Sequence, residues 1–317
     1  MKILITDKTA EEAVQVLRDA SHEVTYDEMD AEKLLKEIPN YDALMVRSRT
    51  KVTTEVVEAG AKGKLKVIGR AGIGVDNIDI EKAAKMGIKV VNSPTGSTKS
   101  VAELTIGQML ALARFIPKAD SSMKKGEWIK KQLKGTELNG KTLGLIGSAY
   151  IAQHVAKIAN CIGMEVLVYS PNCTDEKAKK MGAVKKDLKN LLKESDFVSL
   201  HIPHNKSSHY LLNEETISLM KTGAYLVNSA RGGVVEEKAL YSALKEGRLS
   251  GAAVDVFENE PPSKENNLIN LKNVILTPHI GASTKEAQIQ AGTICAEQIL
   301  MALDGKDPDF WVNKKFM

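Results

Sequence analysis

The sequence predicts an α/β protein built from two doubly wound domains, each a parallel sheet with helices on both faces. Short β-rich runs alternate with amphipathic, charged stretches along nearly the whole chain. These runs fall into two series, which one long helical stretch separates. The length of 317 residues also exceeds what one ordinary core holds, and this favours two domains.

The first series covers the N-terminal third of the chain. Its β-rich runs are KILIT, EVTY, DALMVRS, KVIGRAG and IKVVNSP. Helical patterns such as AEEAVQVLRDA and DIEKAAKMG lie between them. The second series consists of KTLGLIG, MEVLVYS, DFVSLHIP, AYLVNSA, GAAVDVF and NVILTPH.

Two helical stretches set the expected domain boundaries. SVAELTIGQMLALARFIPKA is the longest helical pattern, with Ser100 as its expected cap and Glu103 completing a capping box. A last helix, near STKEAQIQAGTICAEQILMALDG, is expected to return the chain to the first domain. The predicted domains are therefore residues 1–98 with 286–317, and residues 99–285.

Composition excludes several classes of protein. The net charge of +4 comes from 44 basic and 40 acidic residues that are spread evenly, which argues against a nucleic-acid-binding face. No apolar run is long enough to cross a bilayer, and MKILITD reads as a strand rather than a signal peptide. The three cysteines lack metal-ligand spacing and are odd in number, so we expect no metal, no disulfide framework and a cytoplasmic protein.

GLIGSAYIAQHVAK, residues 144–157, occupies the place of a dinucleotide-binding turn, after a β-rich run and at the start of a helix. Gly147 supplies the tight turn of that fingerprint. Alanine replaces the second and third glycines, at Ala149 and Ala152. The methyl group of Ala149 is expected to stand where the pyrophosphate approaches, so this turn predicts weakened cofactor binding. The alternative is that both are stabilising substitutions, worth about 0.4–1 kcal/mol each.

Ser170 ends the run VLVYS, where the fingerprint expects an acidic residue that binds the adenine ribose. The lack of an acidic residue at this position removes two charge-assisted hydrogen bonds to the ribose, each worth about 1.5–3 kcal/mol. It also removes the negative charge that rejects a 2′-phosphate. No arginine follows, since Pro171 and Asn172 come next. Ser170 thus indicates only that the site is not strongly selective for NAD. NAD is the expected cofactor, and NADP stays open.

Six stretches, in order, resemble the D-2-hydroxyacid dehydrogenase family, and most closely its short phosphoglycerate dehydrogenases: VRSRTKVT, GRAGIGVDNID, SVAELTIG, NSARGGVV, GAAVDVFENEPP and LTPHIGAST. The resemblance implies a flavodoxin-like substrate domain, a Rossmann nucleotide domain, and substrate enclosed between them. It also implies hydride transfer between a small anionic 2-hydroxy or 2-keto acid and a nicotinamide. Because the chain stops at Met317, we expect no serine-sensing domain and no feedback by serine.

The resemblance assigns the catalytic roles to three residues at different strand ends. His279 matches the catalytic base, and histidine suits a base that must titrate near neutrality. Glu260 matches the carboxylate that orients it. Arg231 matches the arginine that grips the substrate carboxylate in a fork.

The resemblance also implies the binding residues. Asp255 would hold the nicotinamide carboxamide, although it can also be read as the cap of a turn. The whole cofactor set is Gly147, Ala149, Tyr150, Ile151, Ser170, His201, Pro203, Ser229, Ala230, Asp255 and Ala282. Arg47, Ser48 and Arg49 would bind substrate together with Gly72, Ile73 and Gly74. The arginine pair favours a doubly anionic substrate such as 3-phosphoglycerate, unless both arginines are simply solvated.

Trp128 lies in a segment that resembles the family's dimer arm. We expect a homodimer formed through the nucleotide domain, with Trp128 as an anchor. The alternative is that Trp128 packs locally against its own domain.

Three functional hypotheses follow. The first is an active dehydrogenase that oxidises 3-phosphoglycerate in serine biosynthesis, the second a non-catalytic, nicotinamide-sensing scaffold, and the third a natural or engineered variant with an altered cofactor pocket. The departures gather around one expected pocket, at Ser148, Ala149, Tyr150, Ala152 and Ser170. The catalytic residues are intact, which argues against a decayed enzyme.

Overall fold

The computed structural model describes all 317 residues and confirms the α/β prediction with two parallel sheets. The strands are β1 Lys2–Ile5, β2 Glu23–Tyr26, β3 Ala43–Val46, β4 Val67–Arg70, β5 Lys89–Asn92, β6 Thr142–Ile146, β7 Glu165–Tyr169, β8 Val184–Lys185, β9 Phe197–Leu200, β10 Ala224–Asn228, β11 Leu249–Val254 and β12 Val274–Leu276. The helices are α1 Glu11–Asp19, α2 Ala31–Glu37, α3 Thr54–Ala61, α4 Ile80–Lys85, α5 Thr98–Ala113, α6 Ile116–Lys124, α7 Tyr150–Ile162, α8 Asp175–Lys180, α9 Leu188–Glu194, α10 Glu214–Ser218, α11 Glu237–Lys245 and α12 Lys285–Leu303. No helix combines the length and apolar character that crossing a membrane requires.

The first compact unit comprises Met1–Thr98 and Ala282–Met317. Its five parallel strands lie in the order β2-β1-β3-β4-β5, which is the flavodoxin-like order. Strands such as β3, with the sequence ALMV, are buried along their full length because helices cover both faces of the sheet. Helix α12 packs on α1 and on β4 and β5, so the end of the chain completes this unit.

The second unit is the continuous segment Lys99–Gly281. Its seven parallel strands lie in the order β12-β11-β10-β9-β6-β7-β8. The direction of winding reverses between β6 and β9, and ligands of open α/β sheets bind at such a switch point. Alternate residues face two separate cores, as with Leu226 on one face and Val227 on the other. The sequence reading missed only β8, which is two residues long with both side chains exposed.

The helix expected to join the two series differs from the prediction. Helix α5 begins at Thr98, so Ser100 lies inside the helix and the predicted cap was wrong. The helix ends at Ala113, and α6 starts after Phe115, which has a left-handed φ of 55°. Pro117 explains the break, because its ring would clash with the carbonyl of Ala113 in a continuous helix. The longest helix is α12, with 19 residues.

Candidate active site

The carboxyl ends of parallel strands meet at one edge of a sheet, and the predicted cofactor and catalytic residues of the second unit follow such ends. Gly147 follows β6, Ser170 follows β7, His201 follows β9, Arg231 follows β10, Asp255 follows β11 and His279 follows β12. Strand order therefore gathers them at one edge, although 132 positions (279 − 147) separate the outermost two in sequence.

Glu260 and His279 form a direct pair, with 2.6 Å between Oε2 of Glu260 and Nδ1 of His279. The second carboxylate oxygen of Glu260 accepts from the backbone amide of Phe257 at 3.1 Å. An ionised carboxylate only accepts hydrogen bonds, so this contact assigns the proton of a neutral imidazole to Nδ1. Nε2 of His279 then carries the lone pair that a base needs.

His279 belongs to a turn of residues 277–281, named here the catalytic turn after the predicted role of His279, and Asp255 holds this turn through hydrogen bonds. Asp255 is fully buried. Its Oδ1 accepts from the Thr277 hydroxyl at 2.5 Å and the Ile280 amide at 2.9 Å, and its Oδ2 accepts from the Gly281 amide at 2.9 Å. Its backbone oxygen accepts from the His279 amide at 2.9 Å. These bonds match the alternative reading of Asp255 as the cap of a turn, and a contact with the nicotinamide stays a prediction.

The catalytic turn needs such support because His279 has a left-handed φ of 52°. Residues other than glycine rarely adopt this conformation, which costs on the order of 1 kcal/mol or more. Asp255 thus holds the amide of His279 itself and the amides of the two residues that follow it.

The turn that carries Arg231 is held in a similar way by Asn228, the last residue of β10. Asn228 is 2% exposed. Its side chain accepts from the Ala230 amide at 3.1 Å and donates to the Arg231 carbonyl at 3.0 Å. The two turns are also linked, since the Asp255 amide donates to the Asn228 carbonyl at 2.9 Å.

The cofactor turn, residues 147–152, begins with a glycine that the backbone requires. Gly147 has a φ of 119°, and a Cβ there would meet the His201 carbonyl oxygen at 2.3 Å. Its amide donates to the Tyr169 carbonyl at 2.7 Å. Gly147 therefore ties the end of β6 to the ends of β7 and β9.

The remaining positions of the cofactor turn fall into two kinds. Ala149 takes the N-cap position of α7 with a φ of −80°, which alanine adopts without strain, and its methyl group is exposed. Tyr150 follows, with half of its side chain exposed. Ala152 is fully buried, in the core that contains Val155. Position 152 thus serves packing, whereas positions 149 and 150 present side chains to the solvent side of the turn.

His201 and Ser170 flank the cofactor turn. The His201 imidazole is buried and lies 3.0 Å from the Ser199 hydroxyl. Burial lowers its pKa to about 3, because charging an imidazole in an apolar interior is unfavourable. At neutral pH the ring is therefore uncharged, as its buried position requires. Ser170 is partly buried and opens a turn that its carbonyl closes by accepting from the Cys173 amide at 3.0 Å.

The other predicted cofactor residues differ in exposure. Ala230 is buried and accepts from the Arg231 guanidinium at 2.7 Å, whereas Pro203 is exposed. Ala282 is exposed and is the residue at which the chain returns to the first unit.

The predicted substrate residues lie in the first unit, and Asp7 organises one group of them. Asp7 is 3% exposed and follows β1. It accepts from the Arg47 amide at 2.5 Å and the Thr50 hydroxyl at 2.6 Å, and it lies 3.2 Å from the Arg49 guanidinium. Arg49 also donates to the carbonyls of Thr6 and Met29. Arg49 is therefore anchored rather than simply solvated.

The second group of substrate residues follows β4. Gly72 has a φ of 151°, and a Cβ there would collide with the Arg70 guanidinium. The Asn92 side chain donates to the Ile73 carbonyl at 2.6 Å. The Gly72 amide donates to the Arg70 carbonyl at 2.9 Å. Binding of a carboxylate by the amides of Gly72, Ile73 and Gly74 stays a prediction.

Sequence reasoning missed three residues that hold the functional loops: Asp7, Asn228 and Gln108. Asp7 lies two residues after β1 and Asn228 ends β10, and a polar residue at the end of a buried strand is a signal which the sequence offers. Gln108 gave a weaker signal, a polar residue on the apolar face of a long helix. It is 3% exposed and contacts both Ser229 and Thr277.

Trp128 is 77% exposed. The alternative that it packs locally against its own domain is therefore wrong for the isolated chain.

Comparison with known proteins identifies the family. Residues 106–281 match the model of the D-isomer specific 2-hydroxyacid dehydrogenase NAD binding domain. The chain is 51% identical to a D-3-phosphoglycerate dehydrogenase of Methanocaldococcus jannaschii over 99% of its own length and 59% of that protein. It is 48% identical to a hydroxypyruvate reductase of Thermotoga maritima, over 95% of its own length and 98% of that protein.

A solved acyclic imino acid reductase, in complex with NADPH and D-Arg, superimposes with a TM-score of 0.87 at 32% identity. That alignment covers 98% of this chain and all of the reductase. The chain spans about three fifths of the first phosphoglycerate dehydrogenases that it matches and nearly the full length of the hydroxypyruvate reductase. The chain belongs to the D-isomer-specific 2-hydroxyacid dehydrogenase family.

Proposed function

We propose that this chain is an oxidoreductase that transfers a hydride between a 2-hydroxy acid and a nicotinamide cofactor. The second unit is the dinucleotide-binding domain in this proposal, and the first unit is the substrate-binding domain. The observation that carries the proposal is the 2.6 Å pair of His279 and Glu260 on a turn held by a buried carboxylate. A scaffold protein has no need to keep a strained histidine in that arrangement.

The residues divide the chemistry as follows. Nε2 of His279 takes the hydroxyl proton of the substrate, and Glu260 stabilises the imidazolium that forms. The Arg231 guanidinium holds the substrate carboxylate and polarises the neighbouring C–O bond. A nicotinamide, when bound, would supply the acceptor for the hydride on C2 of the hydroxy acid, or the hydride donor in the reverse direction.

The cofactor turn fits a dinucleotide in its backbone and fits it less well in its side chains. No side chain caps the first amides of α7, so they suit a pyrophosphate at the helix N-terminus. The exposed methyl of Ala149 and the exposed ring of Tyr150 stand beside those amides. We therefore propose binding through the amides of Tyr150 and Ile151, with lower NAD affinity than a relative that carries the full fingerprint.

NAD is the proposed cofactor, and NADP is the alternative that Ser170 favours. A serine at the end of β7 has no charge with which to repel a 2′-phosphate. The structural neighbour solved with NADPH supports keeping NADP in the test.

The proposed substrate is 3-phosphoglycerate, in serine biosynthesis, with Arg47, Ser48 and the loop at Gly72 binding its anionic groups. The relatives named D-3-phosphoglycerate dehydrogenase support this choice. One observation favours the smaller, singly charged hydroxypyruvate instead. The ion pair with Asp7 neutralises part of the charge of Arg49, which reduces the attraction for a second anionic group.

We further propose a cytoplasmic homodimer that forms through the second unit. Met123, Trp128 and Ile116 expose apolar side chains on and after α6, and large exposed apolar groups mark protein interfaces. All three cysteines are free, which suits a reducing compartment. Light scattering on Trp128→Ala, which removes the proposed anchor, tests the dimer; an unchanged mass at micromolar concentration would exclude Trp128 as the anchor.

Cofactor titrations followed by turnover assays test the proposed activity. NADH and NADPH are each titrated by nicotinamide fluorescence. Oxidation of 3-phosphoglycerate with NAD or NADP, and reduction of hydroxypyruvate with NADH or NADPH, are then followed at the nicotinamide absorbance. Turnover with either acid that His279→Gln abolishes supports the dehydrogenase. Cofactor binding without turnover of any small 2-hydroxy or 2-keto acid would favour the sensing scaffold.

A further inference from the structure

Gln108 is a buried polar side chain on α5 that contacts Ser229, near Arg231, and Thr277, in the catalytic turn. Its Oε1 accepts from the Ser229 hydroxyl at 3.0 Å, and Ser229 lies two residues before Arg231. Its Nε2 donates to the Thr277 hydroxyl at 3.2 Å, and Thr277 lies two residues before His279. Only 3% of Gln108 is exposed.

These contacts fix the direction of the hydrogen bonds. An amide has one acceptor end and one donor end, so a bond from Ser229 to the oxygen turns the NH₂ group toward Thr277. A threonine hydroxyl has a single proton to donate. Because Gln108 occupies a lone pair of Thr277, that proton is left for Oδ1 of Asp255, at 2.5 Å.

Asp255 connects the Thr277 hydroxyl to the amides that follow His279, the residue with the left-handed φ. The oxygen that accepts from Thr277 also accepts from the Ile280 amide, and the other oxygen accepts from the Gly281 amide. The backbone of Thr277 is held separately, because its amide donates to the Val254 carbonyl at 3.0 Å. Loss of Gln108 would therefore remove one of the two bonds that fix the Thr277 hydroxyl, leaving it held by Asp255 alone while its backbone stays in the sheet.

We propose that Gln108 is a positioning residue for His279, acting through Thr277 and Asp255. It selects the hydroxyl rotamer that completes the ring of donors around Asp255 and so keeps His279 in its left-handed conformation. Through Ser229 the same amide sets the register between the Arg231 turn and the catalytic turn. The inference rests on the proposed function for its consequence in catalysis, but the conformational part holds without it.

The experiment measures the catalytic turn directly. Hydrogen exchange of the Ile280 and Gly281 amides is followed by NMR on the cofactor-free protein for Gln108→Met and Thr277→Val. We expect exchange to speed up by about three- to tenfold, which is what one lost neutral hydrogen bond is worth. Thr277→Ser keeps the hydroxyl and should restore slow exchange. Gln298→Met is the matched control, since it removes another buried helical glutamine, whose amide oxygen accepts from the Phe310 amide.

Kinetics supply the second readout. Gln108→Met and Thr277→Val should each lower kcat by about three- to tenfold and leave the dissociation constant of NADH unchanged. The double variant should lose no more than either single variant, because both break the same chain of bonds. A purely structural role of Gln108 predicts additive losses and a fall in cofactor affinity along with kcat.

The outcomes separate the two proposals. Faster exchange in a protein that turns over no hydroxy acid would uphold the positioning role and reject the dehydrogenase. Unchanged exchange at both amides in Gln108→Met, or an equal change in Gln298→Met, would overturn the positioning role whatever the wild-type activity.

Discussion

The cofactor turn and the catalytic turn follow strands of the same sheet, and each contains one residue with an unusual backbone conformation. In the cofactor turn that residue is Gly147, for which a φ of 119° is cheap. In the catalytic turn it is His279, which needs the hydrogen bonds of Asp255 to stay at 52°. The cofactor turn achieves its positive φ because the residue is glycine. The catalytic turn achieves it because hydrogen bonds to Asp255 hold a histidine in that conformation.

This difference explains where the sequence departs from its family's fingerprint. Once Gly147 is in place, the neighbouring positions of the cofactor turn change without loss of the fold, as Ala149 and Ala152 illustrate. The catalytic turn depends on residues far away in sequence, so a change at any of them reaches His279. Phosphate binding by the cofactor turn is therefore expected to be separable from the geometry at His279, whereas Asp255, which the family resemblance also assigns to the nicotinamide, would affect both.

The largest expected effect comes from the catalytic turn. His279→Gln removes the proposed base and should lower kcat by about 10²- to 10⁴-fold, the usual contribution of a general base. The dissociation constant of NADH, measured by fluorescence titration, should stay unchanged because the cofactor turn is untouched. An affinity loss that matches the loss in kcat would show that the two turns are not separable.

The next largest effect concerns cofactor choice. Ser170→Asp restores a carboxylate at the end of β7 and should tighten NADH binding by about ten- to a hundredfold, as charge-assisted hydrogen bonds to the ribose predict. The same charge should weaken NADPH binding, so the ratio of the two dissociation constants is the measurement. Ser170→Asn, of equal size and without charge, is the control. Equal effects of the two substitutions would mean that charge at this position does not select the cofactor.

His201, which flanks the cofactor turn, should make the stability of the protein depend on pH. The pKa of His201 is lowered from 6.5 to about 3 in the folded protein, so below pH 6.5 protons bind preferentially to the unfolded chain. Stability is lost as pH falls through that window, by about 2 kcal/mol between about pH 7 and about pH 5. Urea unfolding at both pH values measures it. His201→Asn should abolish this part of the dependence, and an identical slope in the variant would contradict the assignment.

The smallest expected effects distinguish two alanines of the cofactor turn. Ala149→Gly removes an exposed methyl and should tighten NADH binding by a few-fold, at a cost in stability of about 0.4–1 kcal/mol. Ala152→Gly should leave the affinity for NADH unchanged. It should lower the stability of the fold by about 1 kcal/mol or more, because glycine loses more backbone entropy when the helix forms and because loss of the buried methyl group leaves a cavity. Paired titrations and thermal unfolding measure both. A gain in NADH affinity from Ala152→Gly would show that the methyl group of Ala152, and not that of Ala149, obstructs the cofactor.

The sequence predicted the fold well because buried parallel strands such as ALMV are continuous apolar runs with a strong pattern. It did not predict β8, whose two residues are exposed, or the break at Phe115, which depends on Pro117 clashing one turn back. The pairing of Glu260 with His279 followed from family motifs. The supporting contacts of Gln108, Asn228 and Asp7 did not, since each is a long-range hydrogen bond that leaves no periodic trace in the chain.

The division of the chain into one continuous and one discontinuous unit has a consequence for synthesis on the ribosome. All residues of the second unit precede α12 in the chain, so this unit can fold while translation continues. The first unit has its five strands early but lacks the helix that packs on α1, β4 and β5 until the last part of the chain emerges. Nascent chains are thus expected to protect the sheet that carries Gly147 and His279 before they protect the one that carries Arg47.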